Sequence, residues 1–328
     1  MTDLNLEISY YSSKVVSFLY NLYGWVLGFF IKDEGNKLNT ESNDDNITTN
    51  NNNTSGFVCK ISKFFKTIWN NISNIYYKWC LNILKQNEVP KHIGFIMDGN
   101  RRYARMNNIQ PYVAHLRGFE SLEMNLEWLL YLGVHVVTVY AFSIENFKRT
   151  ESEVVAIFEV TKAKLKEFCT QGKFLSDNDI KLNLIGDLSL LPDDLVKIGN
   201  EAMESTKNNK RFILNICFSY TSRYEITNAI KNVVKEVEEG KINSDEITEE
   251  TIESHLLTKD CPPVDILVRT SNETRFSDFL LWQICDDTQI HFIDVYWPVF
   301  NFWNMLPVIL SYQRKRLYHN KKDEKKTQ

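Results

Sequence analysis

Three short polar segments of this chain could do chemistry, and the first places a carboxylate beside two guanidinium groups. This segment, Asp98–Arg102, directly follows the apolar run Ile93–Met97. Gly99 permits a tight turn, and the N–H groups of a following helix together with two arginines form a site for an anion. Asp98 at such a site is suited to bind a divalent cation that also contacts phosphate. The alternative is a turn aspartate next to surface arginines.

The second polar segment, Ser143–Arg149, follows the apolar run Val134–Phe142. It contains a hydroxyl at Ser143, an amide at Asn146 and a guanidinium at Arg149. Such groups could orient a substrate or accept a proton. Capping of the next helix is the alternative.

The third polar segment, Arg269–Ser277, overlaps the end of the apolar run Asp265–Thr270 and contains two arginines and several hydroxyl groups. This composition predicts a second phosphate site. Two anion sites and one carboxylate indicate two diphosphates and a Mg²⁺ ion. His115 is a candidate for the first anion site, although an isolated histidine is more often structural.

These segments need a scaffold, and the sequence predicts one over residues 89–312. Helix-length segments, for example Phe119–Tyr131 and Glu151–Phe168, separate six β-rich runs. This alternation is typical of an α/β fold with a mostly parallel six-stranded sheet flanked by helices. The predicted strands are Ile93–Met97, Val134–Phe142, Ile180–Ile185, Arg211–Phe218, Asp265–Thr270 and Ile290–Tyr296. Because such folds bind ligands at the carboxyl ends of their strands, we expect the polar segments to share one site.

Composition and missing motifs narrow the class of protein. With 43% hydrophobic and 24% charged residues, the chain is neither wholly disordered nor a disulfide-rich mini-protein. Its formal net charge of −4 argues against a nucleic-acid partner, because proteins that bind nucleic acids are usually basic. The sequence contains no P-loop, no G-x-G-x-x-G loop, no zinc-type ligand spacing and no aspartate-rich box of the trans-type prenyl synthases.

The flanking segments differ from this body. Residues 1–34 contain the apolar run Val15–Ile31, which predicts a membrane anchor, spanning or interfacial, or else a buried core helix. Residues 35–56 are Asn-rich and predict a disordered linker. Residues 57–88 have helical periodicity with interspersed lysines, which indicates a basic amphipathic helix that lies on a membrane or packs on the body. Residues 313–328 form a basic tail.

The polar segments and their strands resemble the signature of the cis-prenyltransferases, the family of undecaprenyl and dehydrodolichyl diphosphate synthases. The likeness spans roughly residues 89–312 in one register. Arg101 stands where bacterial members carry glycine, which matches the eukaryotic dehydrodolichyl type. The matching runs are His92–Ala104, Val139–Arg149, Asp265–Trp282 and Tyr296–Phe300.

The resemblance implies an enzyme that condenses isopentenyl diphosphate onto farnesyl diphosphate, or onto a longer allylic primer. Its product would be a long-chain polycis-polyprenyl diphosphate for dolichol synthesis, held in an apolar substrate tunnel. A non-catalytic scaffold subunit of the same complex is the alternative. The joint presence of the polar side chains of Asp98, Arg102, Asn146, Arg269 and Arg275 favours the enzyme. An unrelated phosphohydrolase is a third possibility.

The resemblance also implies roles for individual residues. Asp98 would bind Mg²⁺ and, with Ser143 and Asn146, form the catalytic group. The allylic diphosphate would bind at the first polar segment, His115 and Arg149, and isopentenyl diphosphate at the third segment. The implied substrate-binding residues are Gly99, Asn100, Arg101, Arg102, Tyr103, His115, Glu145, Phe147, Arg149, Arg269, Arg275, Phe276 and Ser277.

Several positions depart from the family pattern. Pro111 stands where the family usually has an arginine, four residues before His115, which removes one allylic phosphate contact. Asn272 replaces a glycine, and asparagine is the residue that tolerates positive φ best after glycine. Bacterial members place a metal-binding glutamate at the position of Thr288, for which Asp287 is a candidate substitute.

The C-terminal run differs as well. Self-sufficient members end in an Arg-x-Gly element that reaches across a dimer to the diphosphate, and Arg314–Gln328 contains no such element. The resemblance therefore implies a dimer in which a subunit resembling the Nogo-B receptor supplies it. It also implies contact with membrane lipid, at the endoplasmic reticulum membrane with the catalytic domain facing the cytosol.

Overall fold

The computed structural model of the protein describes residues 75–170 and 173–326. The chain divides into two compact units, and the second, Lys78–Gln328, contains all the strands described below. The predicted segments 1–34 and 35–56 lie outside the described residues, as does most of the predicted helix 57–88. No helix in the described part is long and apolar enough to cross a membrane.

Six parallel strands form one sheet in the order β3-β4-β2-β1-β5-β6. The strands are β1 (His92–Ile96), β2 (Val136–Ser143), β3 (Ile180–Ile185), β4 (Phe212–Tyr220), β5 (Ile266–Thr270) and β6 (Gln289–Ile293). Every residue of β1 and β5 is buried, whereas partly buried and exposed residues alternate along the edge strand β6. The predicted α/β fold is confirmed, and the sheet is entirely parallel.

The helices of this unit lie between and after the strands. They are α1 (Asn100–Met106), α2 (Pro111–Leu132), α3 (Glu151–Thr170), α4 (Lys173–Asp177), α5 (Asp193–Thr206), α6 (Ser222–Glu238), α7 (Glu249–Glu253) and α8 (Phe302–Lys326). Residues 78–84 are also helical. They are tied to α8 by the Gln313 amide, whose Nε2 donates to the carbonyl oxygens of Leu84 (2.7 Å) and Glu88 (3.2 Å).

Local signals explain where two element boundaries differ from the sequence prediction. Helix α2 starts eight residues earlier than Phe119, because Pro111 occupies its first turn, where a missing N–H costs nothing. Strand β2 starts after Val134, since the Val134 N–H still closes the end of α2 by donating to the Leu129 oxygen (3.1 Å). Pro111, the departure from the family pattern, therefore has a structural role.

Aromatic contacts fix the strands against the surrounding elements. Phe142 of β2 contacts Phe158 of α3 with ring centroids 5.3 Å apart. Phe95 of β1 contacts Trp297 and Phe300 at 5.7 and 6.1 Å. Offset and edge-on ring pairs of this kind add to the free energy of burial, so they hold the strand ends in place.

A ladder of polar side chains crosses the sheet interior. The Asn183 amide donates to Asn215 Oδ1 (2.9 Å), and Asn215 Nδ2 donates to the Thr138 hydroxyl oxygen (3.0 Å). Thr138 Oγ1 lies 2.8 Å from His92 Nε2, and His92 Nδ1 lies 2.8 Å from the Pro262 carbonyl oxygen. Because that carbonyl can only accept, Nδ1 carries the proton and Nε2 accepts from Thr138.

This arrangement keeps His92 neutral. Burial lowers the pKa of the imidazole to about 4, against the partly compensating hydrogen bond to Pro262. An unfolded chain binds the proton near its ordinary pKa of about 6.5. Between these two pH values the unfolded state binds more protons than the folded state, so the free energy of unfolding falls as the pH falls.

We expect His92 to contribute to the loss of folded-state stability at acid pH. Between pH 7 and pH 4, the stability advantage of the wild type over His92→Asn should shrink by about 3 kcal/mol, because asparagine cannot titrate. Denaturant unfolding of the full chain at several pH values measures this difference. The matched control is His135→Asn at an exposed histidine, and a pH-independent difference for His92→Asn would contradict the interpretation.

Candidate active site

The carboxyl ends of β1, β2 and β5 open on one cavity of about 750 Å³. All three polar segments reach it, so their predicted convergence is observed. The predicted residues that line the cavity are Asp98, Gly99, Asn100, Arg101, Arg102, His115, Ser143, Glu145, Asn146, Arg149, Arg269, Arg275 and Ser277.

The backbone of Asp98 is clamped between two strand ends. Its N–H donates to Thr270 Oγ1 (3.0 Å), and its carbonyl oxygen accepts from the hydroxyls of Thr270 (2.8 Å) and Ser271 (2.7 Å). The backbone N–H of Trp297 donates to the same carbonyl at 3.0 Å. The position of this carboxylate therefore depends on the segments that follow β5 and β6.

The adjoining turn requires glycine. Gly99 has φ of +105°, and a Cβ there would lie 2.0 Å from Ser271 Oγ and 2.8 Å from the Tyr296 ring. Both the conformation and the missing space exclude a side chain.

The Asp98 carboxylate contacts the buried guanidinium of Arg269 on one side and lines the cavity on the other. Oδ1 accepts from the Gly99 N–H (2.7 Å), and Oδ2 accepts from Arg269 Nη2 (2.9 Å). Arg102 Nη2 lies farther from Oδ2, at 3.8 Å. The Asp98 side chain is 33% exposed and that of Arg269 only 3%. The exposed part of the carboxylate remains available to a ligand.

These residues fit a magnesium ion that is shared with substrate. No group of three or more His, Cys, Asp or Glu side chains in the described part of the chain could hold a metal ion. Mg²⁺ commonly binds through one or two carboxylates together with substrate phosphates. Asp98 can supply the carboxylate, and the arginines on either side of it, Arg101 with Arg149 and Arg269 with Arg275, can bind the phosphates. Asp287 is exposed next to Thr288, whose hydroxyl donates to the Val264 oxygen at the amino end of the sheet. The fold therefore places Asp287 at the opposite edge from Asp98.

The first cationic group consists of Arg101 and Arg149, and both arginines pair with Glu153. Glu153 Oε1 accepts from Arg149 Nη1 (2.9 Å) and lies 3.7 Å from Arg101 Nε. Burial, together with the positive charge of Arg149, lowers the pKa of His115 to about 4. The His115 Nε2 atom is buried and has no hydrogen-bond partner among the described residues. A neutral imidazole with a free polar atom therefore adjoins two arginines.

The second cationic group comprises Arg269 at the end of β5 and Arg275 in the loop that follows. Arg269 Nη1 donates to Ser277 Oγ (2.8 Å) and to the Arg275 carbonyl oxygen. Glu273 pairs with Arg102 (3.0 Å) and with Arg275. Asn272 has φ of 55°, which confirms that this position needs a residue tolerant of positive φ.

Ser143 and Asn146 form a local cap as well as part of the cavity wall. Ser143 Oγ accepts from the Glu145 N–H (3.2 Å), and Asn146 Oδ1 accepts from the Ser143 N–H (3.2 Å). They cap the short 3₁₀ helix Ile144–Lys148 rather than the next α-helix. The Asn146 amide keeps its NH₂ group as a donor for a ligand.

Three other predicted residues do not line the cavity. Tyr103 accepts from Arg117 Nη1 through its hydroxyl (2.7 Å), and Phe147 packs on Phe142 with centroids 5.0 Å apart. Phe276 packs against Phe292 at 6.2 Å. Each of these rings supports a neighbouring segment instead.

Two cavity-lining arginines and the individual residues of the expected apolar wall were not predicted from the sequence. Arg223 follows β4 as directly as Arg101 follows β1, so the strand-end rule could have found it. Arg105 lies one turn after Arg102 on α1. No sequence signal distinguishes the apolar lining from ordinary core, and it comprises Leu122, Val139, Phe142, Ile157, Val160, Ile216 and Phe218.

Comparison with known proteins identifies the family. A family model described as "Putative undecaprenyl diphosphate synthase" matches residues 96–319. A dehydrodolichyl diphosphate synthase complex subunit of Schizosaccharomyces pombe is 43% identical, over 71% of this chain and 88% of that protein. The corresponding subunit of Homo sapiens is 42% identical, over 73% of this chain and 72% of that protein.

A solved structure supports the same family assignment. Lavandulyl diphosphate synthase from Lavandula x intermedia, in complex with dimethylallyl diphosphate, superimposes with a TM-score of 0.64 at 29% identity. The likeness covers 69% of this chain and 95% of the lavender enzyme. With the parallel sheet and the cationic cavity, these matches show that the chain is a prenyl-group transferase of the cis-prenyltransferase family.

Proposed function

We propose that this prenyltransferase is the catalytic subunit that condenses isopentenyl diphosphate onto farnesyl diphosphate or a longer allylic primer. Its products would be long-chain polycis-polyprenyl diphosphates for dolichol synthesis. The observation that carries the proposal is one cavity with two cationic groups, a carboxylate between them and an apolar wall. The names of its yeast and human relatives, both dehydrodolichyl diphosphate synthase complex subunits, support this substrate class.

The two diphosphates would bind on opposite sides of Asp98. Arg101, Arg149 and the neutral His115 suit the allylic diphosphate, because within the described residues the two arginines pair only with Glu153 and His115 Nε2 has no partner. Arg269, with Arg275 and Ser277 of the same loop, suits isopentenyl diphosphate. Asp98 would hold Mg²⁺ where both groups meet.

The residues support an ionisation, condensation and elimination sequence. The allylic C–O bond breaks, and the guanidinium groups of Arg101 and Arg149 stabilise the charge on the departing diphosphate. The isopentenyl double bond attacks the allylic carbon, and transfer of a proton from the isopentenyl unit to an oxygen of the departed diphosphate leaves a new cis double bond. Asn146 can orient the reacting diphosphate through its NH₂ group. Bound Mg²⁺ would supply additional neutralisation of phosphate charge.

The apolar lining of the cavity can contact the growing polyprenyl product. Side chains of β2, β4, α2 and α3 contribute to it, among them Val139, Phe218, Leu122 and Val160. Burying each added isoprene unit against such a wall is favourable by the hydrophobic effect. We therefore propose that the product occupies a tunnel that starts from this cavity.

The protein would act in a complex at a membrane. The relatives' names call them complex subunits, which supports a partner subunit. We propose that this partner resembles the Nogo-B receptor and supplies an Arg-x-Gly element. The basic amphipathic segment 57–88 and the apolar segment 1–34 would contact lipid. The endoplasmic reticulum membrane, with the catalytic domain in the cytosol, is the location proposed for this complex.

Loss of the central carboxylate should abolish catalysis. We expect Asp98→Ala to lower kcat for Mg²⁺-dependent incorporation of labelled isopentenyl diphosphate by about 100-fold or more, as removal of one charge-stabilising group does in other enzymes. The control Asp194→Ala removes an exposed carboxylate paired with Lys162 outside the cavity. Unchanged activity of the complex with Asp98→Ala would favour the scaffold alternative, and phosphate release without chain growth would favour a phosphohydrolase.

The cavity histidine should respond to diphosphate. Because an anion favours the imidazolium form, inorganic pyrophosphate with Mg²⁺ should raise the pKa of His115 above about 4. NMR titration of the histidine rings measures this change, and the buried His92, remote from the cavity lining, serves as the control in the same spectra. Pyrophosphate binding that leaves the His115 pKa unchanged would contradict its assignment to the allylic site.

Activity should depend on the partner subunit. We expect at least a 10-fold higher rate of chain growth when the chain is co-expressed with a subunit that ends in Arg-x-Gly. A partner variant with Ala in place of that arginine is the control, and sizing of the labelled products checks both. Equal activity of the chain alone would contradict the need for a partner.

A further inference from the structure

The loop after β5 has a backbone conformation that it would not adopt unaided. Five of its non-glycine residues have positive φ, which costs free energy wherever a Cβ is present. These residues are Ser271 (74°), Asn272 (55°), Ser277 (50°), Asp278 (61°) and Leu280 (48°). The same loop carries Ser277, the hydrogen-bond partner of Arg269. Contacts from outside the loop must therefore determine where that hydroxyl lies.

Asp278 makes three of these contacts with the start of α6. Its carbonyl oxygen accepts from the Ser222 N–H (2.8 Å). Its carboxylate accepts from the Arg223 N–H at Oδ1 (3.1 Å) and from Arg223 Nε at Oδ2 (2.7 Å). The first N–H groups of a helix have no partner within the helix, so the loop satisfies two of them from a distant part of the chain.

The flanking residues strengthen the attachment. The Leu281 N–H donates to Ser222 Oγ (2.7 Å), and the Ser277 carbonyl oxygen accepts from the Tyr140 hydroxyl (3.2 Å). Phe279 is fully buried and stacks on Tyr140 with ring centroids 4.5 Å apart. The loop is thus held by apolar packing in its middle and by Asp278 beside Ser277.

Asp278 and Arg223 both line the cavity, but the hydrogen bonds between them fit a support rather than a ligand. The Asp278 side chain is 11% exposed and its two oxygens already accept from Arg223, whereas the Arg223 side chain is 75% exposed. Arg223 can therefore hold Asp278 from the solvent side without being buried itself. Replacing either side chain should move Ser277 without removing a diphosphate contact named above.

We propose that Asp278 is a positioning residue for the isopentenyl diphosphate site, held in place by Arg223 at the start of α6. The carboxylate attaches the loop to the helix, and the attached loop places Ser277 Oγ and the Arg275 carbonyl oxygen against the buried Arg269. This inference rests on the proposed function for the identity of the ligand. It adds a third structural element, α6, to a site otherwise built from β1 and β5.

The test separates binding of the two substrates. In the full chain, with its partner subunit where activity needs one, Asp278→Ala should raise KM for isopentenyl diphosphate about 10-fold, the scale of a lost hydrogen bond to a charged group. KM for farnesyl diphosphate and kcat should stay within about 2-fold, because the variant leaves the Asp98–Arg269 ion pair and the groups around Arg149 in place. Asp278→Asn, which keeps an acceptor for the Arg223 N–H, should recover part of the loss.

Arg223 variants test whether the two residues act as a pair. Arg223→Ala keeps its backbone N–H and should raise KM for isopentenyl diphosphate less than Asp278→Ala does. The double variant should be no worse than Asp278→Ala alone, since the side-chain contact is then already lost. Fully additive increases in KM would show that the Asp278 and Arg223 side chains act independently, contrary to the proposal.

A direct measurement of isopentenyl diphosphate binding distinguishes a failure of the Asp278 role from a failure of the proposed function. Calorimetric titration of isopentenyl diphosphate into the wild type and Asp278→Ala should show a Kd about 10-fold higher for the variant. A wild type that binds isopentenyl diphosphate without elongating a primer would overturn the proposed function alone. An unchanged Kd for Asp278→Ala would overturn the positioning role alone.

Two further outcomes would also overturn the positioning role. A large loss of kcat with a changed Mg²⁺ requirement would make Asp278 a metal ligand, and equal rises in both KM values would indicate general damage to the fold. Thermal unfolding of each variant monitors the fold. The matched control is Asp187→Ala, which removes a carboxylate that caps a turn through the Ser189 N–H (3.2 Å) outside the cavity.

Discussion

The ion pair between Asp98 and Arg269 joins the carboxyl ends of β1 and β5, and the site is arranged around it. A guanidinium as buried as that of Arg269 is costly unless its charge is balanced and most of its hydrogens have partners, and here only Nε has none among the described residues. Asp98 balances the charge at 2.9 Å, and Ser277 accepts a further hydrogen bond at 2.8 Å. Because the same carboxylate also faces the cavity, one residue both balances the charge of the buried Arg269 and would offer a ligand to the proposed magnesium–diphosphate complex.

Parallel topology explains why residues far apart in the chain share this site. All six strands run in the same direction, so every polar segment that directly follows a strand emerges at the same edge of the sheet. The order β2-β1-β5 then places the segments after Ser143, Ile96 and Thr270 side by side. The loop after β5 also needs α6, because its positive φ values are stable only when surrounding contacts determine them.

Burial sets the charge state of two histidines with different consequences. His92 is neutral with both ring nitrogens hydrogen-bonded, so its neutrality stabilises the interior of the sheet. His115 is neutral with Nε2 unpartnered within the described part of the chain, and it adjoins Arg149. An unsatisfied buried polar atom costs stability and therefore points to a ligand that completes it. The same physical effect thus gives a fully hydrogen-bonded histidine in one place and, in the other, a histidine with a free nitrogen that the proposed function assigns to the allylic diphosphate.

Much of the fold and of the site follows from local sequence. Apolar runs that alternate with helix-length segments predict the parallel sheet, since strands buried on both faces read as continuous hydrophobic stretches. The polar residues that follow those runs predict Asp98, Arg149 and Arg269 as site residues, because strand direction alone decides which edge they reach. Tyr103, Phe147 and Phe276, which the family resemblance implies as substrate-binding residues, contact other side chains and lie outside the cavity lining, because side-chain orientation depends on the tertiary packing.

The tertiary structure alone decided the remaining features. The pairing of Asp98 with Arg269, the attachment of Asp278 to α6 and the position of Asp287 at the far edge of the sheet join residues that are distant in the chain. Side-chain contacts across such separations depend on strand order and loop path, which hydrophobic periodicity does not encode. The sequence therefore determined which residue types lie at the strand ends, and the packing of the strands and helices determined which of them meet.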